Sequence, residues 1–311
     1  MGAFDPRLTP ARADLAARTL EGKVEAARYV DGQVYEVIDP QAPLRAEPKP
    51  DAPLATEALK GERATIYDID AEGWAWGQLA ADGYVGWLPA NALVAAGPPP
   101  THKVAALRTL AFPGPSIKQP PIEALPLGAR LHIVRIEDRM AVTRSGAYVP
   151  QAHLAALDSH EADFVAVAER FVGVPYLWGG KTALGLDCSG LLQVALTACG
   201  IACPRDSDMQ ERALGSSVAA AADRAALKRG DLIFWKGHVA IVRDSVSLIH
   251  ANAFDMAVVV EPIARAAARI AAAGSEVTGV RRLLLEQRGA APSALSPTQF
   301  DSDQFRPDGK C

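Results

Sequence analysis

One stretch of the chain, residues 175–190, limits what the sequence can fold into more than any other. It begins Pro-Tyr-Leu-Trp-Gly-Gly-Lys and ends Leu-Asp-Cys-Ser-Gly. The glycines predict a loop, and Asp187 is a residue type that commonly caps the amino terminus of a helix. Apolar side chains follow at helical spacing, which places Cys188 in the first turn of a predicted helix. The backbone N–H groups and the positive dipole end of that turn favour the thiolate, which is the reactive form of cysteine.

Cys188 also has a simpler interpretation, because free cysteines are usually small buried core residues. A nucleophilic cysteine needs a base and a group that orients the base. Two histidines meet this need: His238 opens a predicted strand, and His250 lies on the next strand after a short turn. Antiparallel pairing would make them neighbours, so we predict His238 as the base and His250 as the residue that holds its tautomer. The other four histidines are interpreted as polar-face or core residues.

The hydrophobic periodicity changes along the chain and divides it into five parts. We predict an N-terminal arm with a weak helix (residues 1–28), a small all-β domain (29–97), a second, degenerate copy of it (98–157), an α+β domain (158–286) and a loosely held tail (287–311). Short β-type runs punctuated by glycine and proline are typical of small barrels. In the fourth part, helical stripes precede several consecutive strands, a pattern that indicates an α+β fold.

Composition limits the class of partners. The chain has 311 residues, of which 49% are hydrophobic and 22% charged, and its net charge is −4. Such a protein has no bulk attraction for nucleic acid, and no apolar run is long enough to span a membrane. The first residues lack the basic and apolar regions of a signal peptide. We therefore expect a monomeric cytoplasmic protein with reduced thiols and with neither nucleic-acid nor membrane partners.

Cysteine and histidine could instead hold a metal ion. Cys199 and Cys203 are four residues apart, but no second pair with zinc-ligand spacing accompanies them. We interpret both as packing residues near a helix end, and we predict neither a metal site nor a cofactor. Phosphate-binding and dinucleotide-binding motifs are also missing from the sequence.

Six short motifs follow one another in the fourth part. They are Pro175-Tyr-Leu-Trp-Gly-Gly180, Asp187-Cys-Ser-Gly190, Pro204-Arg-Asp-Ser207, Arg229-Gly-Asp-Leu-Ile-Phe234, Gly237-His-Val-Ala-Ile-Val242 and Leu248-Ile-His-Ala251. In these motifs and their order, residues 158–286 resemble the NlpC family of cell-wall cysteine peptidases, and the two preceding copies resemble bacterial SH3-like domains. The layout is similar to the YkfC-like subgroup. The resemblance implies an α+β papain-like cysteine peptidase domain preceded by two small all-β SH3-like barrels.

The resemblance also implies a reaction. The subgroup consists of γ-D-glutamyl-L-diamino-acid endopeptidases, so the implied substrate is a murein tri- or tetrapeptide with a free N-terminal L-alanine, cut during peptidoglycan recycling. Cys188 would attack the γ-D-glutamyl carbonyl, and His238 would pair with the thiolate and protonate the leaving amine. The backbone N–H of Cys188 and the Tyr176 hydroxyl would stabilise the oxyanion.

Substrate selection is implied to depend on residues outside the catalytic set. In the subgroup the first SH3-like domain closes one end of the groove, where an ammonium group needs an anion and hydrogen-bond acceptors. The implied binding residues are Asp206 as that anion, Ser189 and Ser207 beside it, Tyr84 from the first SH3-like domain, and Trp178 as a wall of the groove. Two of them have plainer interpretations: Asp206 as a helix cap and Tyr84 as a barrel-core aromatic.

Other functions fit the same sequence. A secreted endopeptidase or amidase could cut intact cell wall, with the SH3-like domains binding the wall. A non-catalytic peptide-binding protein could use the barrels alone, although an intact set of one cysteine and two histidines argues against it. The same triad can also serve an acyltransferase, because it does not select the acceptor.

Overall fold

The computed structural model of this protein describes residues 4–218 and 226–283. The chain forms two compact units, the first ending at Leu157 and the second beginning at Asp158. In the described part, the first unit contains strands and single-turn 3-10 helices, and the second combines helices with a sheet. The predicted succession of an all-β region and an α+β domain is confirmed. The predicted tail, residues 287–311, lies outside the described residues.

The first barrel is one sheet of seven strands that follows two short strands of the N-terminal arm. The arm contains β1 (Ala16–Ala17) and β2 (Tyr29–Val30); the barrel contains β3 (Gln33–Val37), β4 (Gln41–Arg45), β5 (Leu54–Leu59), β6 (Arg63–Ile69), β7 (Trp74–Leu79), β8 (Val85–Pro89) and β9 (Leu93–Ala95). The strands pair in the order β5-β4-β8-β7-β6-β3-β9. Alternate residues point inward: in β4, Ala42 and Leu44 are fully buried, while their neighbours are partly exposed.

The second copy has a more divided sheet. Its strands are β10 (His102–Val104), β11 (Arg108–Ala111), β12 (Glu123–Pro126), β13 (Arg130–Leu131), β14 (Ile133–Glu137), β15 (Met140–Thr143), β16 (Tyr148–Pro150) and β17 (Leu154–Ala156). They form three small sheets, β13-β10-β17, β11-β12 and β14-β15-β16. Valine, leucine and alanine side chains build its buried cluster, among them Val104, Leu125 and Val149. Each copy therefore buries its own set of apolar side chains.

The weak helix predicted in the N-terminal arm, residues 1–28, is wrong. The structure has one turn of 3-10 helix there, Arg18–Leu20, flanked by β1 and β2. Side-chain contacts with the first barrel hold the arm instead: the Arg12 guanidinium lies 4.5 Å from the ring centre of Trp76 and 4.7 Å from that of Trp87. Short helices are marginally stable on their own in water, so such contacts decide the local structure.

The second unit has four helices and a six-stranded sheet in its described part. Its elements are α1 (Phe164–Glu169), β18 (Lys181–Thr182), β19 (Gly185–Leu186), α2 (Cys188–Ala198), α3 (Ser207–Ala213), β20 (Ser216–Ser217), β21 (Leu232–Trp235), β22 (His238–Val242), β23 (Ser247–Asn252), β24 (Ala257–Pro262), α4 (Ile263–Ala272) and β25 (Val277–Arg282). The sheet has the order β20-β25-β21-β22-β23-β24, in which β21 to β24 are consecutive antiparallel neighbours. Helix α2 packs against β22 and β23. None of the helices in the described residues has the length and apolar character needed to cross a bilayer.

Candidate active site

Asp187 organises the start of α2. It occupies the N-cap position, and its carboxylate accepts hydrogen bonds from the backbone N–H of Gly190 at 2.7 Å and of Gly179 at 2.8 Å. One carboxylate thus caps the helix and holds the glycine loop that precedes it. The loop lies directly against the helix: a Cβ atom on Gly190 would sit 2.3 Å from the carbonyl oxygen of Gly180. The predicted capped helix after a glycine-rich loop is confirmed.

A buried arginine that was not predicted from the sequence compensates this carboxylate. Arg205 is 1% exposed. Its two terminal nitrogens donate to the two carboxylate oxygens of Asp187 at 3.0 and 2.8 Å, and one of them also donates to the Ser189 hydroxyl at 2.8 Å. An unpaired buried carboxylate would be costly, so the bidentate guanidinium is what allows Asp187 to sit next to the nucleophile. The motif Pro204-Arg-Asp-Ser207 contains the arginine, but roles were predicted only for the two residues after it.

The thiol of Cys188 lies at the first position of α2 and is 7% exposed. Its sulfur is 4.0 Å from the carbonyl oxygen of Gly237, and the backbone N–H of Val239 is bonded to it. Burial, followed by the nearby negative charge of Asp187, raises the pKa of the thiol to about 12. Desolvation thus acts against the expected preference for the thiolate, which stays a prediction.

His238 and His250 lie on neighbouring strands, as predicted. His238 is the first residue of β22 and follows a two-residue turn, in which Gly237 has a φ of 75° that residues with a Cβ atom rarely adopt. In the pairing of β22 with β23, Ile241 lies opposite Ile249. Since side chains alternate along a strand, this register places His238 and His250 on the same face of the sheet.

The two imidazoles are hydrogen-bonded to each other. Nε2 of His238 lies 2.9 Å from Nδ1 of His250, and the rings meet nearly edge to face with centres 5.1 Å apart. Trp235, opposite His238 across the turn, packs its ring against the imidazole at a centre distance of 5.7 Å. Nε2 of His238 is hydrogen-bonded to His250. Nδ1 is therefore the ring nitrogen of His238 that is left to accept a proton from another group. Nδ1 is also the nitrogen nearer to the backbone of residues 237–239, against which the Cys188 thiol lies.

Burial disfavours the charged form of both histidines. Burial lowers the pKa of His238 to about 3, with smaller contributions from His250 and Arg269. Burial and the positive charge of Arg269 lower the pKa of His250 to about 4. A neutral imidazole can take the proton of a neutral thiol as the sulfur attacks a carbonyl group, because the two charges that form compensate each other. The directions of these shifts favour general-base activation of the thiol over the ion pair that we expected, and the catalytic roles of Cys188 and His238 stay predictions.

Two further polar residues contact His250, and neither was predicted from the sequence. Nε2 of His250 lies 2.9 Å from Oε1 of Glu261 on β24 and 2.9 Å from Nδ2 of Asn252 at the end of β23. The Glu261 side chain is buried. The pairing of β23 with β24 could have predicted this contact. Val259 lies opposite His250, and Glu261, two positions further along β24, points to the same face.

Three predicted substrate-binding residues lie around the starts of α2 and α3. The hydroxyl of Ser189 is tied into the guanidinium network. Asp206 stands at the N-cap position of α3 without a side-chain capping bond, and Ser207 is the first residue of that helix. Gln210 donates to the Ser189 carbonyl at 2.9 Å, which joins the two helix starts. The Asp206 carboxylate thus does not cap α3, in contrast to its plainer interpretation. The substrate-binding roles of these three residues stay predictions.

The other predicted residues lie on the glycine loop and in the first barrel. Tyr176 is half-buried, and its backbone N–H donates to the carbonyl of Met256 at 2.9 Å. Trp178 is 65% exposed. Tyr84 belongs to the buried cluster of the first barrel, as in its plainer interpretation. The roles of Tyr176 in oxyanion binding and of Trp178 and Tyr84 in substrate binding stay predictions.

The two other thiols in the described part of the second unit are packing groups. Cys199 stands at the C-cap of α2, and Cys203 lies 3.5 Å from the side-chain nitrogen of Gln210; both are buried. Among residues 4–218 and 226–283, no three histidine, cysteine, aspartate or glutamate side chains are grouped so that they could hold a metal ion.

Comparison with known proteins finds two family models that match segments of this chain. The model of the NlpC/P60 family matches residues 173–270, and a model described as the bacterial dipeptidyl-peptidase Sh3 domain matches residues 44–93. Among solved structures, the crystal structure of an NlpC/P60 family protein from Bacillus cereus aligns with a TM-score of 0.68 at 22% identity. The alignment covers 81% of this chain and 100% of that one, and it supports the fold alone.

Curated relatives share a shorter segment. The γ-D-glutamyl-L-lysine dipeptidyl-peptidase of Bacillus cereus is 34% identical over 109 residues, which are 32% of this chain and 31% of that protein. Dipeptidyl-peptidase 6 of Lysinibacillus sphaericus is 36% identical over 88 residues, which are 28% of this chain and 31% of that protein. The chain thus spans 31% of the length of each of these two relatives.

Proposed function

We propose that this chain, whose residues 173–270 match the model of the NlpC/P60 family, is a cysteine peptidase of murein peptides that cuts the γ-D-glutamyl bond to a diamino acid or L-lysine. The proposed substrate carries a free N-terminal L-alanine, so one product is L-Ala-γ-D-Glu. Two findings support this substrate class. The relatives are named γ-D-glutamyl-L-lysine dipeptidyl-peptidase and dipeptidyl-peptidase 6, and the matched SH3 domain is described as that of bacterial dipeptidyl-peptidases.

One observation carries the proposed activity. The buried thiol of Cys188 lies at a helix amino terminus and against the start of β22, where His238 is hydrogen-bonded to His250. Acyl transfer by a cysteine needs these three functions: a nucleophile, a base and a group that orients the base.

The reaction then follows from the neutral resting state. His238 takes the thiol proton as the sulfur of Cys188 attacks the γ-carbonyl carbon. The oxyanion forms beside the first turn of α2, where backbone N–H groups have no partner within the helix. The C–N bond breaks, and the leaving amine takes the proton from His238. A water molecule, deprotonated by His238, hydrolyses the thioester, which releases the γ-carboxylate and restores the thiol.

We propose Asp206 as the anion that binds the ammonium group of the substrate. Its position at the start of α3 is tied to Ser189, the residue after the nucleophile, through Gln210. An ammonium group bound in a site with little water needs a carboxylate, since hydrogen bonds to neutral groups are about half as strong.

The test compares peptides that differ only in one group. The purified full chain is incubated with L-Ala-γ-D-Glu-meso-diaminopimelate, with its L-lysine counterpart, and with an N-acetylated copy of the better of the two. Mass spectrometry measures the release of the γ-D-glutamyl dipeptide. We expect at least one free peptide to be cleaved. The acetylated peptide should be cleaved about 100-fold more slowly, because it leaves the proposed anion, the Asp206 carboxylate, without a cation. Cleavage of neither free peptide contradicts the proposal.

Intact cell wall separates this proposal from the wall-cutting alternative. In the wall, the stem peptide has no free L-alanine amine, so we expect sacculi to be cut far more slowly than the free peptide. Equal rates would favour the wall-cutting hydrolase. Recycling in the cytoplasm is part of the proposal, because a peptide with a free amine is the product of an earlier cleavage of the wall. Cell fractionation that finds the protein only outside the inner membrane would contradict that compartment.

A further inference from the structure

A carboxylate and a guanidinium lie behind the histidine pair. Oε1 of Glu261 lies 2.9 Å from Nε2 of His250, and the same oxygen accepts a hydrogen bond from Arg269 on α4. The guanidinium of Arg269 is also 4.6 Å from the ring centre of Phe254. Arg265, one turn earlier on α4, is 69% exposed and only 4.0 Å from the other carboxylate oxygen. Two arginines therefore face one carboxylate, but only Arg269 is hydrogen-bonded to the oxygen that contacts the histidine.

We propose that Glu261, held by Arg269, is a positioning residue that fixes the proton positions on both histidines and so makes Nδ1 of His238 the base. The identity of His238 as a base rests on the proposed function. The proton positions rest on the contacts alone.

The first step concerns the proton on His250. Its Nε2 faces two groups at 2.9 Å, the Glu261 carboxylate and the Asn252 amide nitrogen. The amide orientation is set by Asp255, whose backbone N–H donates to the amide oxygen at 2.7 Å and whose carboxylate accepts from the amide nitrogen at 3.0 Å. If Nε2 of His250 carried no proton, its lone pair would point at the Glu261 carboxylate oxygen, and the two would repel each other. The charge-assisted bond to Glu261 is the stronger one, so Nε2 of His250 carries the proton.

The second step carries this choice to His238. A neutral His250 with its proton on Nε2 has a lone pair on Nδ1. That lone pair accepts from Nε2 of His238 at 2.9 Å. His238 then has its own lone pair on Nδ1, the ring nitrogen nearer to the backbone against which the Cys188 sulfur lies. Glu261 thus selects the tautomer that can accept the thiol proton.

Arg269 keeps this arrangement in place. Without it, the buried Glu261 would lose its hydrogen-bonded cation, and a second proton on His250 would be the nearest compensation. A doubly protonated His250 cannot accept from His238. The His238 ring would then have to offer its lone pair to His250 and carry its proton on Nδ1, where it is no base for the thiol. Two carboxylates act in the opposite direction on these pKa values, Asp187 on His238 and Asp255 on His250, but burial outweighs both.

The first arm of the test needs neither a variant nor a substrate. Long-range proton–nitrogen NMR of the full chain, labelled with ¹⁵N-histidine and measured at pH 7, assigns the protonated nitrogen of each ring. We expect protons on Nε2 of both His238 and His250. A proton on Nδ1 of His250 would mean that Asn252 controls the ring, and it would overturn the inference.

The second arm compares two arginines of the same helix. The acid limb of the pH profile of kcat/KM is measured for Arg269→Gln, Arg269→Lys and Arg265→Gln. The substrate is the murein peptide that the parent protein cleaves. We expect the limb of Arg269→Gln to move up by at least about one pH unit, so that activity at pH 6 falls about tenfold and returns above pH 8. Arg269→Lys and Arg265→Gln should stay within about twofold of the parent, since both keep a cation beside Glu261. An unmoved limb in Arg269→Gln, or an equal shift in Arg265→Gln, would overturn the inference.

The third arm of the test uses a variant that removes the charge of Glu261 but keeps the shape of its side chain. The amide of Glu261→Gln can offer either its oxygen or its nitrogen to His250, so it no longer selects a tautomer. We expect kcat to fall about 100-fold with KM within about twofold, together with mixed tautomers in the NMR spectrum. Undiminished kcat with a single unchanged tautomer would overturn the inference.

The arms also separate this inference from the proposed function. If the parent protein cuts no murein peptide, the proposed function fails, while the tautomers of the parent and the titration of His250 in Arg269→Gln still decide the inference. If Arg269→Gln does not fold, the parent tautomers and the Glu261→Gln variant decide it.

Discussion

Both terminal nitrogens of Arg205 bind the carboxylate of Asp187, at 3.0 and 2.8 Å, immediately before the residue that begins α2. The same carboxylate holds the glycine loop through Gly179 and the helix through Gly190. One buried ion pair therefore joins the loop, the start of α2 and the chain that leads into α3. The position of the nucleophile depends on this pair.

Replacing Arg205 should unfold the site. Arg205→Met leaves the buried Asp187 carboxylate without its cation, and breaking a buried pair in this way costs about 3–5 kcal/mol in the free energy of unfolding. Urea denaturation measures the change. Arg212→Met is the matched control, because Arg212 forms a more exposed pair with Asp208 at 2.8 Å that contributes about 0–1 kcal/mol. Equal losses in the two variants would show that the buried pair has no special role.

The reactivity of Cys188 should rise steadily with pH. Its pKa is raised to about 12, so the thiolate fraction increases about tenfold for each pH unit between pH 6 and 9. Alkylation by iodoacetamide, assigned to Cys188 by peptide mapping, should follow that slope. A preformed ion pair would instead give a rate that is flat between pH 5 and 8. Such a plateau would contradict the neutral resting state.

Acid should destabilise the second unit through its histidines. In the unfolded chain a histidine binds a proton below about pH 6.5, whereas in the fold burial lowers the pKa of His250 to about 4. The unfolded state therefore binds more protons between these values, and stability falls as the pH is lowered through that window. Each such histidine contributes up to about 1.4 kcal/mol per pH unit.

The variant His250→Gln isolates this contribution. Urea unfolding between pH 7 and 4.5 gives the free energy of unfolding at each pH. This free energy should fall less steeply with decreasing pH in the variant than in the parent, by up to about 1.4 kcal/mol per pH unit, the value for one proton. His132→Gln, in the other unit, serves as the control and should leave the slope of the second unit unchanged. A variant slope equal to that of the parent would mean that His250 is already protonated in the folded state at pH 6.

Asp206 should affect substrate binding more than chemistry. We expect Asp206→Asn to raise KM about 100-fold for a peptide with a free amine, because the ammonium group loses its anion. The same variant should cut the N-acetylated peptide no worse than the parent does. Asp208→Asn, two residues along α3 and paired with Arg212, is the control and should leave KM within about twofold. Equal effects of the two variants on KM would remove Asp206 from the binding site.

The nucleophile and its two histidines were predictable because local patterns and tertiary structure agree there. The helix after the glycine loop has a cap residue at Asp187, and the strands Leu232–Trp235 and His238–Val242 have the predicted bounds. Apolar runs separated by a two-residue turn with glycine are strong local signals of a hairpin. The next connection, residues 243–246, leads from β22 to β23, and the pairing of these two strands places His238 and His250 on one face.

Interactions between distant residues were harder to predict. Arg205 pairs with a carboxylate 18 residues earlier, and its burial has no local signal. The pKa of Cys188 depends on how deeply the helix start is covered, which periodicity does not report. In the first barrel, Pro43 lies inside β4, although proline argues against a strand by propensity.

The central claim, that Cys188 is the nucleophile of a γ-D-glutamyl peptidase, is tested most directly by comparing two cysteines of one helix. The release of L-Ala-γ-D-Glu from the free tripeptide is measured for the parent, for Cys188→Ala at the start of α2 and for Cys199→Ala at its C-cap. We predict that Cys188→Ala abolishes release, whereas Cys199→Ala retains it. Undiminished release by Cys188→Ala would contradict the account.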